Sequence, residues 1–191
     1  MARPRVRERI LDAAQQLLQR EGVRALTTRN VAQEAGTTEA SVFNNFVDKA
    51  GLFRSLVDER IPAVHQLRKV IDDRSIETRP WLEALHTQAR LYYLEVIPLF
   101  STLLGMSADA EKVKRLGNFD PHAALTLALT RRRLLPIDAG QESAAWMAAM
   151  LLGAAMHDSL RNVMAGEKPA GDDLGSEALH FVQTLTSTIR R

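Results

Sequence analysis

A short polar segment in the first quarter of the chain carries the side chains best suited to recognise another molecule. Its candidate residues, in chain order, are Thr38, Glu39, Ala40, Ser41, Asn44 and Asn45. A carboxamide pairs with the N6 and N7 atoms of adenine through two hydrogen bonds, and a hydroxyl reaches a base edge or a phosphate. Because few long apolar side chains interrupt the segment, its outer surface is flat and polar and suits the major groove of DNA. The segment is therefore a candidate reader of base sequence.

Positive charge is concentrated around this segment. The chain has 191 residues, with 25 Lys and Arg against 23 Asp and Glu, and its formal net charge is +2. Residues 1–49 contain the whole surplus of basic side chains. Arg3 and Arg5 belong to an arginine-rich arm that attracts phosphate, although a merely solvated terminus is the alternative. Lys49 is placed at the start of a helix, where its ammonium and the free backbone N–H groups predict a further phosphate contact.

The remaining polar residues do not predict catalysis. The chain has no cysteine, which excludes disulfides, thiolate nucleophiles and cysteine-based metal sites. The histidines lack metal-ligand spacing, and neither a glycine-rich phosphate loop nor a nucleophile elbow occurs. His86 and the pair His157-Asp158 are candidates for orienting a ligand, although a surface or core histidine is commoner. The run Arg131-Arg132-Arg133 suits the C-terminal dipole of a helix, with a second nucleic-acid patch as the alternative. We expect no enzyme, no cofactor and no metal.

Helical periodicity predicts how the polar segment is positioned. Apolar residues at helical spacing predict a first helix that ends at Gly22, where glycine supplies the left-handed turn. The threonine pairs 27–28 and 37–38 predict the starts of the second and third helices. Gly36 lies between these helices. We expect that positions 32 and 36 require small residues, Ala32 and Gly36, because the helices cross closely there. Two short helices joined in this way match a helix-turn-helix, whose second helix enters the major groove.

The rest of the chain is also predicted to be helical. Asp48 begins a longer helix, which Pro62 either bends or ends. A further helix opens near Pro80 and is interrupted or bent at Pro98, and Asp120 begins another. No segment alternates like a β-strand. We expect an all-α protein with a helix-turn-helix domain over 1–50 and a larger helical domain over 51–191.

Two long helices, over about 141–164 and 172–189, are predicted to close the chain. Between residues 144 and 156 the first of them is apolar on every face, so both of its sides must be covered. One side then packs on its own chain and the other on a second copy; the core of a monomer is the alternative. The apolar run is too short to span a membrane and no signal peptide is evident, so we expect a cytoplasmic protein without a membrane partner.

Several residues of the first quarter match the pattern of a known family. They are Arg9-Ile10-Leu11-Asp12-Ala13-Ala14, Gly22, Leu26-Thr27-Thr28, Val31-Ala32, Ala35-Gly36, Val42-Phe43, Phe46 and Lys49. With them, residues 6–57 resemble the N-terminal DNA-binding domain of TetR-family transcriptional regulators. The resemblance implies that Thr28 and Arg29 contact phosphates, that the third helix reads bases and that Lys49 holds the backbone.

The chain departs from that family pattern at three positions. Phe43 stands where tyrosine is usual, so the phenolic hydrogen bond is lost while stacking on a sugar or a thymine methyl remains. Asn45 replaces the usual histidine and Thr37 a usual valine. Base preference is therefore not inherited from any relative.

The resemblance also implies a pocket for a small-molecule effector in the middle helices and pairing through the last two helices. The side chains that would line an adaptable apolar wall are Trp81, Leu85, Tyr92, Phe100, Met106, Phe119, Trp146, Met147 and Met150. Ordinary core packing is the alternative for each of them. We expect a homodimeric repressor that binds a palindromic DNA operator and is released by a small apolar or amphipathic ligand.

Two other functions remain open. The first is a helical ligand-binding or enzyme-like protein whose N-terminal helices serve assembly only. The second is an activator or architectural DNA binder that has no small-molecule sensor.

Overall fold

The computed structural model describes residues 6–106, 118–134 and 141–166, with side chains in 6–99, 118–134 and 142–166. Every regular element in these ranges is helical, which confirms the predicted fold class. Within them, no helix is long and apolar enough to cross a membrane. The predicted helix over 172–189 and a shorter one expected over about 107–116 lie outside the described residues, as do Arg3 and Arg5.

The described ranges contain eight α-helices. In chain order they are α1 (Val6–Glu21), α2 (Thr28–Glu34), α3 (Glu39–Phe46), α4 (Lys49–Arg60), α5 (Pro62–Asp72), α6 (Thr78–Met106), α7 (Pro121–Arg132) and α8 (Gln141–Ala165). A short 3₁₀ turn, Val23–Ala25, lies between α1 and α2.

The chain forms two compact units. The first consists of Met1–Pro62 and Val96–Phe119, and the second of Ala63–Glu95 and Asp120–Arg191. The predicted domain boundary after residue 50 stays a prediction.

Four helix starts are fixed by side chains that the sequence singles out. The hydroxyls of Thr27 and Thr38 and the carboxylates of Asp48 and Asp120 each accept a backbone N–H from three residues further on, at 3.1, 3.2, 2.6 and 3.0 Å. Each bond satisfies a donor that the first helical turn leaves unpaired. Of the two threonine pairs, Thr27 and Thr38 are therefore the caps.

Pro62 and Pro98 affect the helices differently: the first begins a helix, and the second lies inside one. Helix α4 ends at Arg60, so of the two predicted effects of Pro62 the helix end is confirmed. Pro62 begins α5, a helix that was not predicted. Proline suits this place because the first turn of a helix has no use for its missing N–H. The expected interruption at Pro98 is wrong, because α6 continues through it to Met106. The fixed φ of proline is compatible with a helix, and the neighbouring turns hold the chain helical despite one lost hydrogen bond.

The first unit is built around α1. Helix α1 packs against α2, α3 and α4, and Ile10, Leu11 and Ala14 on its inner face are fully buried. Phe53 and Leu56 of α4 are equally inaccessible. Burial of each large apolar side chain contributes about 1.5–3 kcal/mol, so this small core holds the short helices in place.

In the second unit, Trp81 and Arg132 form hydrogen bonds with the end of α5 and with the loop between α5 and α6. The indole Nε1 of Trp81 donates to the carbonyl of Val70 at 2.8 Å. The guanidinium of Arg132 lies 4.2 Å from the Trp81 ring centroid and donates to the carbonyls of Ile76, at 3.0 Å, and Asp73. One arginine at the end of α7 therefore holds the loop that joins the two preceding helices.

Helix α8 does not bury all of its surface within the described residues. Its inner side contains Ala144, Ala148 and Ala155, which are almost inaccessible and leave room for neighbouring helices. The inner side is therefore covered, and packing of the other side on a second copy stays a prediction. Trp146 and Met150 project from the other side and are 66% and 59% exposed.

Candidate nucleic-acid interface

Helix α3 separates its buried and exposed residues cleanly. Val42 and Phe46 are 2% and 5% exposed and anchor the helix in the first unit. The exposed residues at and after its N-cap are Thr38, Glu39, Ala40, Phe43, Asn44 and Asn45. Phe43 is 45% exposed although it is aromatic, so it is available for stacking. The structure thus brings the predicted base-reading residues to the surface of one helix.

The two asparagines are not equivalent. The carboxamide nitrogen of Asn45 donates to the backbone carbonyl of Ser41 at 2.7 Å, which ties that side chain to its own helix. Ser41 itself is half-buried, and its hydroxyl is 3.0 Å from that of Thr38. Among the described residues, Asn44 makes no side-chain hydrogen bond and keeps both carboxamide groups available. Asn44 is therefore the better placed candidate for bidentate pairing with adenine.

The start of α2 is joined to the start of α3 by a polar contact. The hydroxyl of Thr28 donates to a carboxylate oxygen of Glu39 at 3.1 Å. Arg29, the next residue, is exposed. Thr28 and Arg29 therefore lie at the surface near the exposed side of α3, as contact with a phosphate backbone would require.

Lys49 lies at the first position of α4. Its ammonium is 5.5 Å from the ring centroid of Phe53, and the side chain is half-buried. Partial burial lowers the pKa of Lys49 because the charged form loses water. A phosphate oxygen would replace that lost hydration, so this position favours a backbone contact.

The arginine-rich arm contributes less free charge than its composition indicates. Arg7 donates to both carboxylate oxygens of Glu59, at 2.8 and 2.6 Å, and to the hydroxyl of Ser55 at 3.2 Å. Its guanidinium also lies 5.2 Å from the ring centroid of Phe46, the last residue of α3. Arg7 therefore ties α1, α3 and α4 together and is not part of a free arm. Arg9 is exposed.

The turns before and after α3 each contain a residue with a positive φ angle, Gly36 and Val47. Gly36 has φ of +60°, and a Cβ built on it would meet nothing within 4 Å. The predicted reason for Gly36, a close crossing of helices, is therefore wrong; the left-handed backbone is what requires glycine. At the other end, Val47 has φ of +64°, which is strained for a β-branched residue, and its side chain is 86% exposed.

A steric constraint that was not predicted from the sequence lies just after this turn. A Cβ built on Gly51 would collide with the backbone carbonyl oxygen of Phe46. The close approach of the first turn of α4 to the end of α3 therefore requires glycine at this position. The available signal is a glycine inside a predicted helix, where alanine is normally more favourable.

The predicted effector residues are distributed over both units, and two of their side chains lie outside the described residues. Trp81, Leu85 and Tyr92 are buried in the second unit, and Met147 of α8 is half-buried there. Phe119 belongs to the first unit and is half-buried. The side chains of Phe100 and Met106 lie outside the described residues, and Trp146 and Met150 are exposed, as noted above. The effector pocket stays a prediction.

The buried polar residues of the second unit lie between α6 and α8. His86 is almost fully buried, and its Nε2 is 3.2 Å from a carboxylate oxygen of Asp158. Burial lowers the pKa of His86, and the Asp158 charge opposes that shift. Ser159 donates to the carbonyl of Arg90, also buried, at 3.0 Å. Asp158 thus pairs with His86, whereas His157, which is adjacent to Asp158 in sequence, is exposed.

Within the described part of the chain, no three His, Asp or Glu side chains are grouped to hold a metal.

The sequence pattern described as bacterial regulatory proteins of the tetR family matches residues 10–56, which run from α1 into α4. Residues 10–56 therefore have the sequence pattern of the N-terminal domain of the TetR family. This match confirms the resemblance over the N-terminal segment. YvkB of Bacillus subtilis strain 168, an uncharacterised helix-turn-helix transcriptional regulator, is 48% identical over 52 residues. That alignment covers 27% of this chain and 28% of YvkB.

Solved structures extend the likeness in fold to nearly the whole chain. A protein from Mesorhizobium loti assigned to the TetR-family regulators has a TM-score of 0.66 at 19% identity, and 98% of each chain is covered. FadR from Bacillus subtilis, a transcriptional regulator in complex with stearoyl-CoA, has a TM-score of 0.64 at 15% identity. The coverage is 92% of this chain and 96% of FadR. At these identities the two solved structures share the fold with this chain and nothing more specific.

Proposed function

We propose that this chain is a homodimeric TetR-family repressor that binds a palindromic DNA operator and leaves it when a small apolar or amphipathic ligand binds. The observation that carries the proposal is the outward side of α3, where polar side chains are exposed while Val42 and Phe46 are buried. A helix that presents such a surface beside Arg29 and Lys49 offers both base contacts and phosphate contacts.

Roles within this surface follow from the contacts. Asn44 reads a base through its free carboxamide, and Phe43 packs on a sugar or a thymine methyl. Thr28, Arg29 and Lys49 contact phosphates and fix the register of the helix in the groove. Glu39, held by Thr28, presents a carboxylate that accepts a hydrogen bond from the N4 amino group of cytosine.

The exposed side of α8 supports the dimer. Its large apolar side chains that remain at least two-fifths exposed are Trp146, Met150, Met156, Val163 and Met164. Monomeric soluble proteins rarely leave large apolar patches in water, so we expect a second copy to pack on these side chains. Two copies would place two α3 helices on the two half-sites of a palindrome.

The ligand part of the proposal is supported by the buried polar residues of the second unit. His86, Arg90 and Asp158 offer charged and hydrogen-bonding groups among apolar helices, the combination that an amphipathic ligand needs. Such a ligand releases DNA only if it binds the DNA-incompetent arrangement more tightly, by a few kcal/mol.

The DNA part is tested by fluorescence anisotropy with a labelled duplex selected by the protein from a random pool. We expect a palindromic sequence to be selected and its affinity to fall steeply with salt, by about 10³–10⁵ between 50 and 200 mM if 6–10 phosphates are contacted. Selection of no sequence, or an affinity that does not change with salt, would contradict the proposal.

The dimer is tested by light scattering of Trp146→Asp and Ala149→Asp. Each places a carboxylate on the exposed side of α8, so we expect the mass to fall from two chains to one. Leu127→Asp is the matched control, because Leu127 is an exposed apolar residue on α7. Variants that keep the mass of two chains would exclude this surface as the interface.

A further inference from the structure

The second unit has a small basic depression that neither the DNA surface nor the proposed ligand site uses. It lies at the ends of α5 and α7, and its volume is about 220 Å³. Its lining residues are Ile71, Asp72, Arg74, Ala128, Arg131 and Arg132. Pockets for drug-sized ligands have volumes of about 300–1,000 Å³, so this depression suits a smaller group.

One of the three arginines is held rigidly in place. Arg132 stacks on Trp81 and donates to the loop carbonyls of Asp73 and Ile76. Partial burial lowers the pKa of Arg132, which reflects the water that its guanidinium has lost. A fixed and partly desolvated guanidinium binds an anion with little loss of side-chain entropy.

Acidic neighbours balance the positive charge at the depression only in part, because Asp73 interacts electrostatically with Arg132. Arg74 and Arg131 are exposed and form no ion pair with any described residue. Asp72 is the one carboxylate in the lining. Next to it, Asp73 accepts hydrogen bonds from the backbone N–H and the hydroxyl of Ser75, at 2.8 and 2.6 Å. Three guanidinium groups therefore share the depression with one carboxylate.

The helix dipole explains only part of this arrangement. Arg131 and Arg132 lie in the last turn of α7, where a positive charge interacts favourably with the helix end. Arg74 comes from another element, beyond the end of α5, yet it lines the same depression. The buried side chains of Ile71 and Ala128 complete the lining. Charges that converge from two elements on one concave surface are typical of a binding site.

We propose that Arg74, Arg131 and Arg132 bind a compact anion with at least two negative charges, a phosphate or pyrophosphate group. A guanidinium matches phosphate oxygens through two parallel hydrogen bonds, and its positive charge strengthens both. The free anion and the phosphate group of a larger molecule share this chemistry. The site is independent of the proposed DNA binding, because it uses none of the same residues.

The test is isothermal titration calorimetry of the full chain with sodium pyrophosphate, inorganic phosphate and ribose 5-phosphate at constant ionic strength. We expect the wild type to bind at least one of them saturably, with one site per chain. Arg74→Gln and Arg131→Gln each weaken that binding about tenfold or more, as the loss of a charge-assisted hydrogen bond predicts. Arg161→Gln is the control, since it removes the same charge from an exposed position on α8 outside the depression.

The outcomes separate the sources and the alternatives. Tighter binding of pyrophosphate indicates a free anion, and tighter binding of ribose 5-phosphate indicates the phosphate of a larger molecule; both support the site. Absence of saturable binding, or equal weakening in the Arg161 control, would overturn it. A variant at Arg131 that weakens duplex DNA while leaving pyrophosphate binding unchanged would assign the patch to nucleic acid and would also overturn it.

Discussion

Replacement of Gly51 by alanine should destabilise the protein, although alanine is normally the better helix former. The new Cβ would meet the carbonyl oxygen of Phe46 and would lie 3.2 Å from its carbonyl carbon and 3.3 Å from Oδ1 of Asp48. The backbone must therefore move at the junction of α3 and α4. The same shift weakens the bond of 2.6 Å between the Asp48 carboxylate and the Gly51 N–H, which caps α4.

The magnitude follows from three opposing contributions. Alanine gains about 1 kcal/mol over glycine inside a helix. Overpacking costs about 1–3 kcal/mol, and a weakened cap costs about 1 kcal/mol. The net loss in the free energy of unfolding is about 2 kcal/mol, which lowers Tm by about 4–8 °C in a chain of this size.

The control makes the same chemical change where space is available. A Cβ on Gly153, within α8, meets nothing within 4 Å in the described chain, so Gly153→Ala should raise Tm by about 2–4 °C. Differential scanning calorimetry measures both variants, and light scattering checks that the control keeps the wild-type mass. If Gly51→Ala is as stable as the wild type, the steric reasoning at the α3–α4 junction is refuted.

Three further predictions concern other contacts. Val47→Gly should raise the free energy of unfolding, measured with urea, by about 0.5–1 kcal/mol. Glycine adopts φ of +64° without strain, and removal of the exposed Val47 side chain costs no packing. A loss of stability would show that this side chain makes stabilising contacts. The hydrogen bond from Arg7 lowers the pKa of Glu59, so its stabilisation is present above about pH 4.3 and is lost as the pH falls through the lowered value. Glu59→Gln should therefore be less stable at neutral pH, by less than about 1 kcal/mol, and the difference should disappear as the pH falls below the lowered pKa of Glu59. A difference independent of pH would rule out the ion pair as its cause. Arg132→Lys should lower the free energy of unfolding by about 2 kcal/mol, because lysine cannot both stack flat on Trp81 and reach two carbonyls. An unchanged Tm would show that Arg132 does not hold the loop between α5 and α6.

Helix caps and the polar surface of α3 could be predicted from the sequence because they depend on local chemistry. Asp48 and Asp120 stand immediately before apolar periodic segments, and both are observed caps. The choice within each threonine pair could not be made, because adjacent hydroxyls have the same local preference. Thr27 and Thr38 are distinguished only by the backbone conformation that the tertiary structure imposes.

Features that depend on distant residues could not be predicted in this way. Arg7 counts as a free charge in the sequence, but Glu59, 52 positions away, accepts two of its hydrogen bonds. Pro98 marks a helix break by local rules, yet α6 continues through it. The pairing of Asp158 with His86, and not with the adjacent His157, likewise requires two helices to pack.

The central claim, that the exposed side of α3 reads DNA bases while Lys49 holds the backbone, is tested most directly by sequence selection from a random duplex pool with Asn44→Ala, Asn45→Ala and Lys49→Gln. We predict that Asn44→Ala relaxes preference at one base pair of each half-site and costs about 1–3 kcal/mol there, and that Lys49→Gln weakens all duplexes alike. Asn45→Ala, whose amide is bonded to its own helix, should alter preference less than Asn44→Ala. An unchanged selected sequence for Asn44→Ala together with altered base preference for Lys49→Gln would contradict the account.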